Sequence, residues 1–283
     1  MRRVRIAMLD RFFVESHVKK ALEEDIGFGD ITTDYLANEN DIMFCSLNSR
    51  VDGIFCGKTV FETVFKILSD KVEIAFYKND GDVLVKGDKI ADIKGPAKYI
   101  LMGERTALNY IQRMSGIATE TNKYQAAIGG YKAKIVDTRK TTPLFRAFEK
   151  YAVKTGGGSL HRFNLSDCAM IKDNHIRYAG SISAAVEKLR ENISHAHKIE
   201  VECDTIEQVR EAIECNADII MLDNMDIKTM SECVKLIDGK AIVEASGNVN
   251  LQTVREIAST GVDIISSSAI VAKAPTLDLG LDC

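Results

Sequence analysis

The first clear periodicity falls at residues 8–24, where Leu9, Phe12, Phe13, Val18, Ala21 and Leu22 recur at helical spacing and predict an amphipathic helix. Glycines and acids in the following E-E-D-I-G-F-G-D-I-T-T signal a turn. Loose alternation from Ile42 to Phe55 predicts strands, and Val60, Val64, Phe65 and Leu68 mark a helix over Lys58 to Leu68. Three short runs follow, V-E-I-A-F-Y, D-V-L-V and K-I-A-D-I, separated by turns at Gly81-Asp82 and Gly87-Asp88. Ile100, Leu101, Ala107, Leu108 and Ile111 predict a strong helix from Ala97 to Arg113, which Ser115-Gly116 is expected to stop.

Beyond residue 130 the texture changes. A short apolar run ends in a polar residue, an amphipathic helix follows, and the unit repeats. The runs end at Asp137, Lys172, Glu202, Asp223, Glu244 and Ser266-Ser267, with successive ends 35, 30, 21, 21 and 22 residues apart. That spacing fits β-strand plus α-helix units with parallel strands and right-handed crossovers. Asp204 with Glu207 reads as a capping box, Asn250 as a helix cap, and Gly261 as a helix stop. The fold class is α/β, with a barrel whose strand ends should carry the chemistry, as strand C-termini do in such barrels. The three short strands before residue 96 look like the barrel-sandwich arrangement of biotin- and lipoyl-carrier modules. They lack the context of an attachment lysine, so they are expected to be scaffold.

Composition narrows the class. A chain of 283 residues that is 46% hydrophobic has ample material for one large or two ordinary domains. No run approaches the roughly 18 apolar residues of a membrane span. The basic start M-R-R-V-R-I-A-M-L-D carries too short an apolar stretch for a secretory signal. With a net charge of −4 and well-mixed signs, wholesale nucleic-acid binding is not expected. Seven cysteines with no C-x-x-C suggest reduced thiols and a soluble, cytoplasmic protein.

Against that acidic background, residues 137–175 hold seven Lys/Arg and four carboxylates. Arg139-Lys140, His161-Arg162 and Lys172 form three cationic clusters, with glycines at 156–158 between them. Guanidinium forks hold carboxylates, ammonium groups attract phosphates, and glycines let amides approach an anion. Glu202 and Asp223 offer oxygen ligands suited to Mg²⁺, which usually arrives with substrate phosphates. Ser246-Gly247-Asn248 and Ser266 to Ala269 sit on the last two loops, where barrels often bind phosphate. The residues alone therefore indicate an α/β-barrel enzyme acting on a carboxylated and a phosphorylated substrate with Mg²⁺. Two other readings stand beside it: a Schiff-base barrel using Lys172 as nucleophile, and a sugar-phosphate-binding barrel without catalysis.

Several strings resemble the quinolinate phosphoribosyltransferases (nicotinate-nucleotide pyrophosphorylase, carboxylating). They are E-D-I-G-F-G-D-I-T-T (24–33), E-R-T-A-L-N-Y-I-Q-R-M-S-G-I-A-T (104–119), D-T-R-K-T-T-P (137–143), E-K-Y-A-V-K-T-G-G-G (149–158), H-R-F-N-L-S-D (161–167), I-K-D-N-H-I (171–176), L-D-N (222–224) and E-A-S-G (244–247). A related branch associated with molybdate-uptake operons is less similar. The resemblance implies an N-terminal α/β sandwich domain (1–115), an incomplete (open) α/β barrel (116–270), and a tail (271–283) that packs back on the first domain. It implies phosphoribosyl transfer from phosphoribosyl pyrophosphate to quinolinate with decarboxylation, giving nicotinate mononucleotide, pyrophosphate and CO₂ in NAD biosynthesis. By motif position, Arg139, His161, Arg162 and Lys172 would bind quinolinate, joined by Arg105 from the partner subunit of a homodimer. Assembly of dimers into hexamers stays open. Thr138, Lys140, Glu202 and Asp223 would serve phosphoribosyl pyrophosphate, with Glu202 and Asp223 as Mg²⁺ ligands. Lys140, Lys172, Glu202 and Asp223 would form the catalytic set. Ser246, Gly247, Asn248, Ser267, Ser268 and Ala269 would hold the 5′-phosphate.

The chain departs from the family pattern at four places. Ser268 and Asn248 stand where glycines are common, Ala272-Lys273 replaces His-Ser, and Leu144 follows Pro143 where a glycine is usual. The serine and asparagine bear directly on the expected phosphate loops.

Overall fold

The structure, a computed structural model, describes residues 9–38 and 40–283. Most of the basic start (residues 1–8), read above as no secretory signal, lies outside the described residues. In chain order the elements are α1 (Arg11–Ile26), α2 (Thr33–Leu36), β1 (Ile42–Ser49), β2 (Gly53–Ile54), α3 (Lys58–Leu68), β3 (Glu73–Phe76), β4 (Val83–Leu84), β5 (Lys89–Pro96) and α4 (Ala97–Ala127). Then come β6 (Lys134–Val136), α5 (Arg146–Thr155), β7 (Ala169–Ile171), α6 (Asp173–Ala179), α7 (Ile182–Asn192), β8 (Ile199–Cys203), α8 (Ile206–Glu214) and β9 (Ile219–Asp223). The chain finishes with α9 (Ile227–Ile237), β10 (Ile242–Ser246), α10 (Val254–Ser259), β11 (Ile264–Ser266), α11 (Ala269–Ala272) and β12 (Leu279–Asp282). Two compact units result. One holds residues up to Asn122 with Pro143–Gly157 and Ala274–Cys283; the other holds Lys123–Thr142 and Gly158–Lys273.

In the first unit, β12-β1-β5-β3 form an antiparallel sheet and β2-β4 a separate two-stranded ribbon. The barrel-sandwich expectation is therefore corrected. β12 arrives from far along the chain to take the edge beside β1, pairing Ser49 with Leu279 and Ser46 with Asp282. Helix α1 forms where one was expected, though of the expected apolar positions only Val18 and Leu22 are buried; it is capped by Asp10, whose carboxylate accepts the amides of Phe12 and Phe13. Its buried stripe is Val14, Val18 and Leu22 at spacing four; Phe12 lies on the opposite face, 79% exposed.

Helix α4 runs through Ser115-Gly116 instead of stopping there. Both residues are small because neighbours come close. The Ser115 hydroxyl accepts the Cys56 amide at 2.9 Å, and a Cβ on Gly116 would lie 1.9 Å from the Pro275 carbonyl oxygen. A glycine chosen for close approach is indistinguishable in sequence from one chosen to end a helix. The expectation of reduced thiols also changes: Cys45 on β1 and Cys283 form a disulfide, and Cys56, Cys168, Cys203, Cys215 and Cys233 are free.

The second unit is the expected open barrel. Six parallel strands stand in the order β6-β11-β10-β9-β8-β7, each neighbour pair linked in register. Outward positions such as Val201, Cys203, Ile220, Leu222 and Val243 are buried under the helices. Strand alternation therefore sends Glu200 and Glu202, Met221 and Asp223, and Glu244 and Ser246 inward. Helix α8 starts one residue later than expected, with Thr205 and Gln208 as its reciprocal capping box. Thr205 fits because its hydroxyl reaches the Gln208 amide at 3.3 Å while the Gln208 side chain accepts the Thr205 amide.

Candidate active site

The mouth of the barrel holds two adjoining cavities. The inner one, about 320 Å³, is lined by Thr138, Arg139, Lys140, His161, Arg162, Lys172, Glu202, Glu244 and Ser246, with Met170, Met221 and Ser266 between them. The outer one, about 500 Å³, shares Thr138, Lys140, Lys172, Glu202 and Ser246 and adds Asp223, Gly247, Asn248, Ser267, Ser268, Ala269 and Lys273. These volumes suit small-molecule ligands. Every site residue expected on the barrel therefore lines one connected region. Arg105 is exposed on α4 in the first unit.

The inner cavity is cationic and its cations are held in place. The Arg162 guanidinium donates to the Cys168 carbonyl oxygen at 2.8 Å and approaches the Met170 sulfur at 3.4 Å. Lys172 directly follows β7 and caps α6, its amide donating to His175 Nδ1 at 3.0 Å. Its ammonium is paired with the Glu202 carboxylate on β8. The Lys140 amide donates to the Thr138 hydroxyl at 3.0 Å, shaping the turn that lifts Lys140 over the mouth.

Two strand-end acids behave differently from expectation. Asp137 is fully buried, and its Oδ1 accepts the His161 amide at 2.9 Å. Glu244 sits in the middle of β10, which continues to Ser246, and is 1% exposed. The sequence periodicity marked where the apolar run broke, and a buried acid breaks it as well as a strand end does. Glu244 and Glu200 both face His161, with its Nε2 at 3.4 Å from a carboxylate oxygen of each.

Burial opposes a charge on this imidazole, but the two glutamates outweigh it and push its pKa up to about 10. The Arg162 amide lies 2.7 Å from Nδ1, a contact that favours a lone pair there. Two carboxylates against one neutral amide decide for the raised value. Glu200 is itself raised, first by burial and then, against the pull of His161, by the Glu244 charge. Sequence reasoning missed Glu200, although strand alternation puts it on the same face as Glu202; what the sequence does not show is His161 beside it.

The outer cavity is built from backbone. Gly247 has φ +91°, and a Cβ there would meet Asn224 Oδ1 at 2.1 Å. Asn224 and Asn248 also take left-handed conformations, which asparagine tolerates better than most residues. Asn248 thus occupies a position where glycine would serve, and its amide donates to Asn224 Oδ1 at 3.3 Å. Ser268 has φ −74°, so the serine there needs no glycine-like backbone. Asp223 accepts from the Asn224 side-chain amide at 2.7 Å, which fixes its carboxylate toward the cavity shared with Glu202.

Comparison with known proteins fits this geometry. Sequence models of the quinolinate phosphoribosyl transferase N-terminal and C-terminal domains match residues 30–115 and 117–282. The chain belongs to the quinolinate phosphoribosyltransferase family. It is 42% identical, over 97% of its length and 92% of the relative's, to a probable nicotinate-nucleotide pyrophosphorylase [carboxylating] of Bacillus subtilis. It is 40% identical to a mitochondrial quinolinate phosphoribosyltransferase [decarboxylating] of Nicotiana tabacum, over 93% of this chain and 80% of that one. Among solved structures, NadC from Streptococcus pyogenes superposes with a TM-score of 0.95 at 38% identity, covering 97% of both chains. The nicotinate-nucleotide pyrophosphorylase from Francisella tularensis gives 0.93 at 39% over the same coverage. In this family member, no described helix is long and apolar enough to cross a membrane.

Proposed function

We propose that this family member transfers the phosphoribosyl group of phosphoribosyl pyrophosphate to the nitrogen of quinolinate, releasing pyrophosphate and CO₂ and leaving nicotinate mononucleotide for NAD synthesis. The observation that carries the reading is the meeting of Arg139, His161, Arg162 and Lys172 around one cavity beside a second rich in backbone amides and carboxylates. A pyridine dicarboxylate suits the first, because two carboxylates need several fixed cations. A phosphorylated sugar suits the second, through Gly247, Asn248 and the 267–269 turn.

Glu202 and Asp223 line the outer cavity together, and their hard oxygen donors fit Mg²⁺. When bound, the ion neutralises the pyrophosphate that leaves. A carboxylate of quinolinate would compete with Glu202 for Lys172, which would leave Glu202 available to hold the ion. The pyridine nitrogen forms its bond to C1′ as the C1′–oxygen bond to pyrophosphate breaks, with Glu202 and Asp223 near the positive charge that develops. The 2-carboxylate then leaves as CO₂. Its electron pair stays on C2 beside the pyridinium nitrogen and takes a proton from Lys172 or water. Positioning provides most of the acceleration.

The reading includes a homodimer in which Arg105 completes the quinolinate site of the partner subunit, and a cytoplasmic setting where its polyanionic substrates are retained. The direct test is incubation with quinolinate, phosphoribosyl pyrophosphate and Mg²⁺ followed by product mass. Nicotinate mononucleotide is expected from quinolinate and hardly any from nicotinic acid, which lacks the 2-carboxylate. Equal turnover of nicotinic acid would overturn the reading.

A further inference from the structure

Below the mouth, a third cavity of about 420 Å³ opens among residues toward the N-terminal ends of the strands, including Lys198, Ile219 and Ile264. It shares His161, Arg162 and Glu244 with the inner cavity above. The floor between the two is therefore His161 with the glutamates beneath it. Both oxygens of Glu200 and Oε1 of Glu244 are buried and make no close hydrogen bond, and Nε2 of His161 lies 3.4 Å from one oxygen of each glutamate. Two buried carboxylates this close are costly unless a cation lies between them.

The three side chains have the composition of a metal site, their ligand atoms lying within 4.8 Å of one another. The imidazole argues against that occupant. A metal on Nε2 needs that nitrogen's lone pair and would have to displace the proton that the two carboxylates hold there. Nε2 instead carries a hydrogen aimed at the carboxylates. His161 is also tied by its backbone amide to Asp137 Oδ1, and its Nδ1 lies 2.7 Å from the amide nitrogen of Arg162. Fixing the ring from below therefore also fixes the start of the segment that carries the Arg162 guanidinium.

We propose that Glu244, with Glu200 as its partner, is a positioning residue for quinolinate, acting through the His161 imidazole to hold the His161-Arg162 segment at the floor of the inner cavity. The proposal rests on the quinolinate reading above. Neither glutamate needs to touch substrate. Their part is to make the cationic floor rigid and to offset its self-repulsion before the dicarboxylate arrives.

The test is a double-mutant cycle read by calorimetric binding of quinolinate and by steady-state KM and kcat. Glu244→Ala should weaken quinolinate binding about tenfold or more, as loss of a buried charged partner does. The KM for phosphoribosyl pyrophosphate should change little. Glu244→Gln keeps an acceptor of the same shape without the charge and should recover part of the loss. In the His161→Ala background, Glu244→Ala should add almost nothing, because coupled residues are not additive. Full additivity in that cycle, or wild-type affinity in Glu244→Ala, overturns the proposal. If Glu244→Ala does not fold, the cycle is run with Glu244→Leu, which fills the space without the charge, and the same outcomes decide. Wild-type protein that binds no quinolinate would sink the functional reading instead, so the two failures are separable.

Discussion

The ammonium of Lys172 and the carboxylate of Glu202 form an ion pair that ties the end of β7 to β8 at the point where the inner and outer cavities meet. Both partners line both cavities, so the pair sits between the two proposed substrate sites. Lys172→Ala should reduce kcat/KM for quinolinate by roughly a hundredfold or more, the scale expected for losing a charge-assisted contact in a catalytic site. Lys172→Arg should not restore it, because a planar fork cannot replace a point charge at a crowded strand end. Steady-state kinetics with both substrates varied checks this; an active arginine variant would refute the role.

The His161 floor predicts a pH dependence of stability with a definite sign. Its folded pKa of about 10 lies above the ordinary value of 6.5. The stabilisation is therefore fully present below about pH 6.5 and is lost as pH rises toward 10. Denaturant midpoints at pH 6, 8 and 9.5 should fall more steeply in the wild type than in His161→Gln. Parallel slopes would show that the imidazole is not held charged.

Cys45 and Cys283 close a loop with a sequence separation of 238. Thiol titration of the denatured, unreduced protein should count five groups, not seven. Reduction should lower stability by about 2–4 kcal/mol, the usual range for such a cross-link. Seven titratable thiols before reduction would remove the bond from the account.

Leu144 has φ +63° and is 88% exposed, so a bulky side chain sits in a left-handed conformation without packing in return. That conformation costs roughly 1–2 kcal/mol for an ordinary residue. Glycine gives back part of the gain through the flexibility of the unfolded chain. Leu144→Gly should therefore raise unfolding free energy by a few tenths to about 1 kcal/mol, measured by denaturant titration. A loss of stability would mean that the leucine makes a contact worth more than its strain.

If Arg105 serves the partner subunit, Arg105→Ala and Lys140→Ala should each be inactive alone. Mixed and allowed to exchange subunits, they should recover up to about a quarter of wild-type activity by random pairing. No recovery from a mixture shown to contain hybrid dimers would refute the shared site.

Much of this was legible in the sequence because strand alternation and anion chemistry leave strong marks. The clustered cations at 139, 140, 162 and 172 all reach one cavity: 139, 140 and 172 follow strand ends, and 162 lies on the loop before β7. What stayed hidden depends on neighbours far away in sequence. Glycine at 116 looked like a helix stop until Pro275 lay against it, and Glu200 drew no notice until His161 lay beside it. The disulfide was invisible for the same reason: pairing Cys45 with Cys283 requires knowing that β12 lies beside β1.

That edge pairing also bears on biosynthesis. Ser49 must wait for Leu279 before the sheet gains its outer strand. At ordinary translation speeds of about 5–20 residues per second, the interval is on the order of ten seconds or more. Throughout it, a nascent chain carries β1 with one side of its backbone unpaired, the kind of template on which neighbouring polysomal chains can aggregate. Shielding by chaperones during this interval would matter more for yield than any property of the finished enzyme.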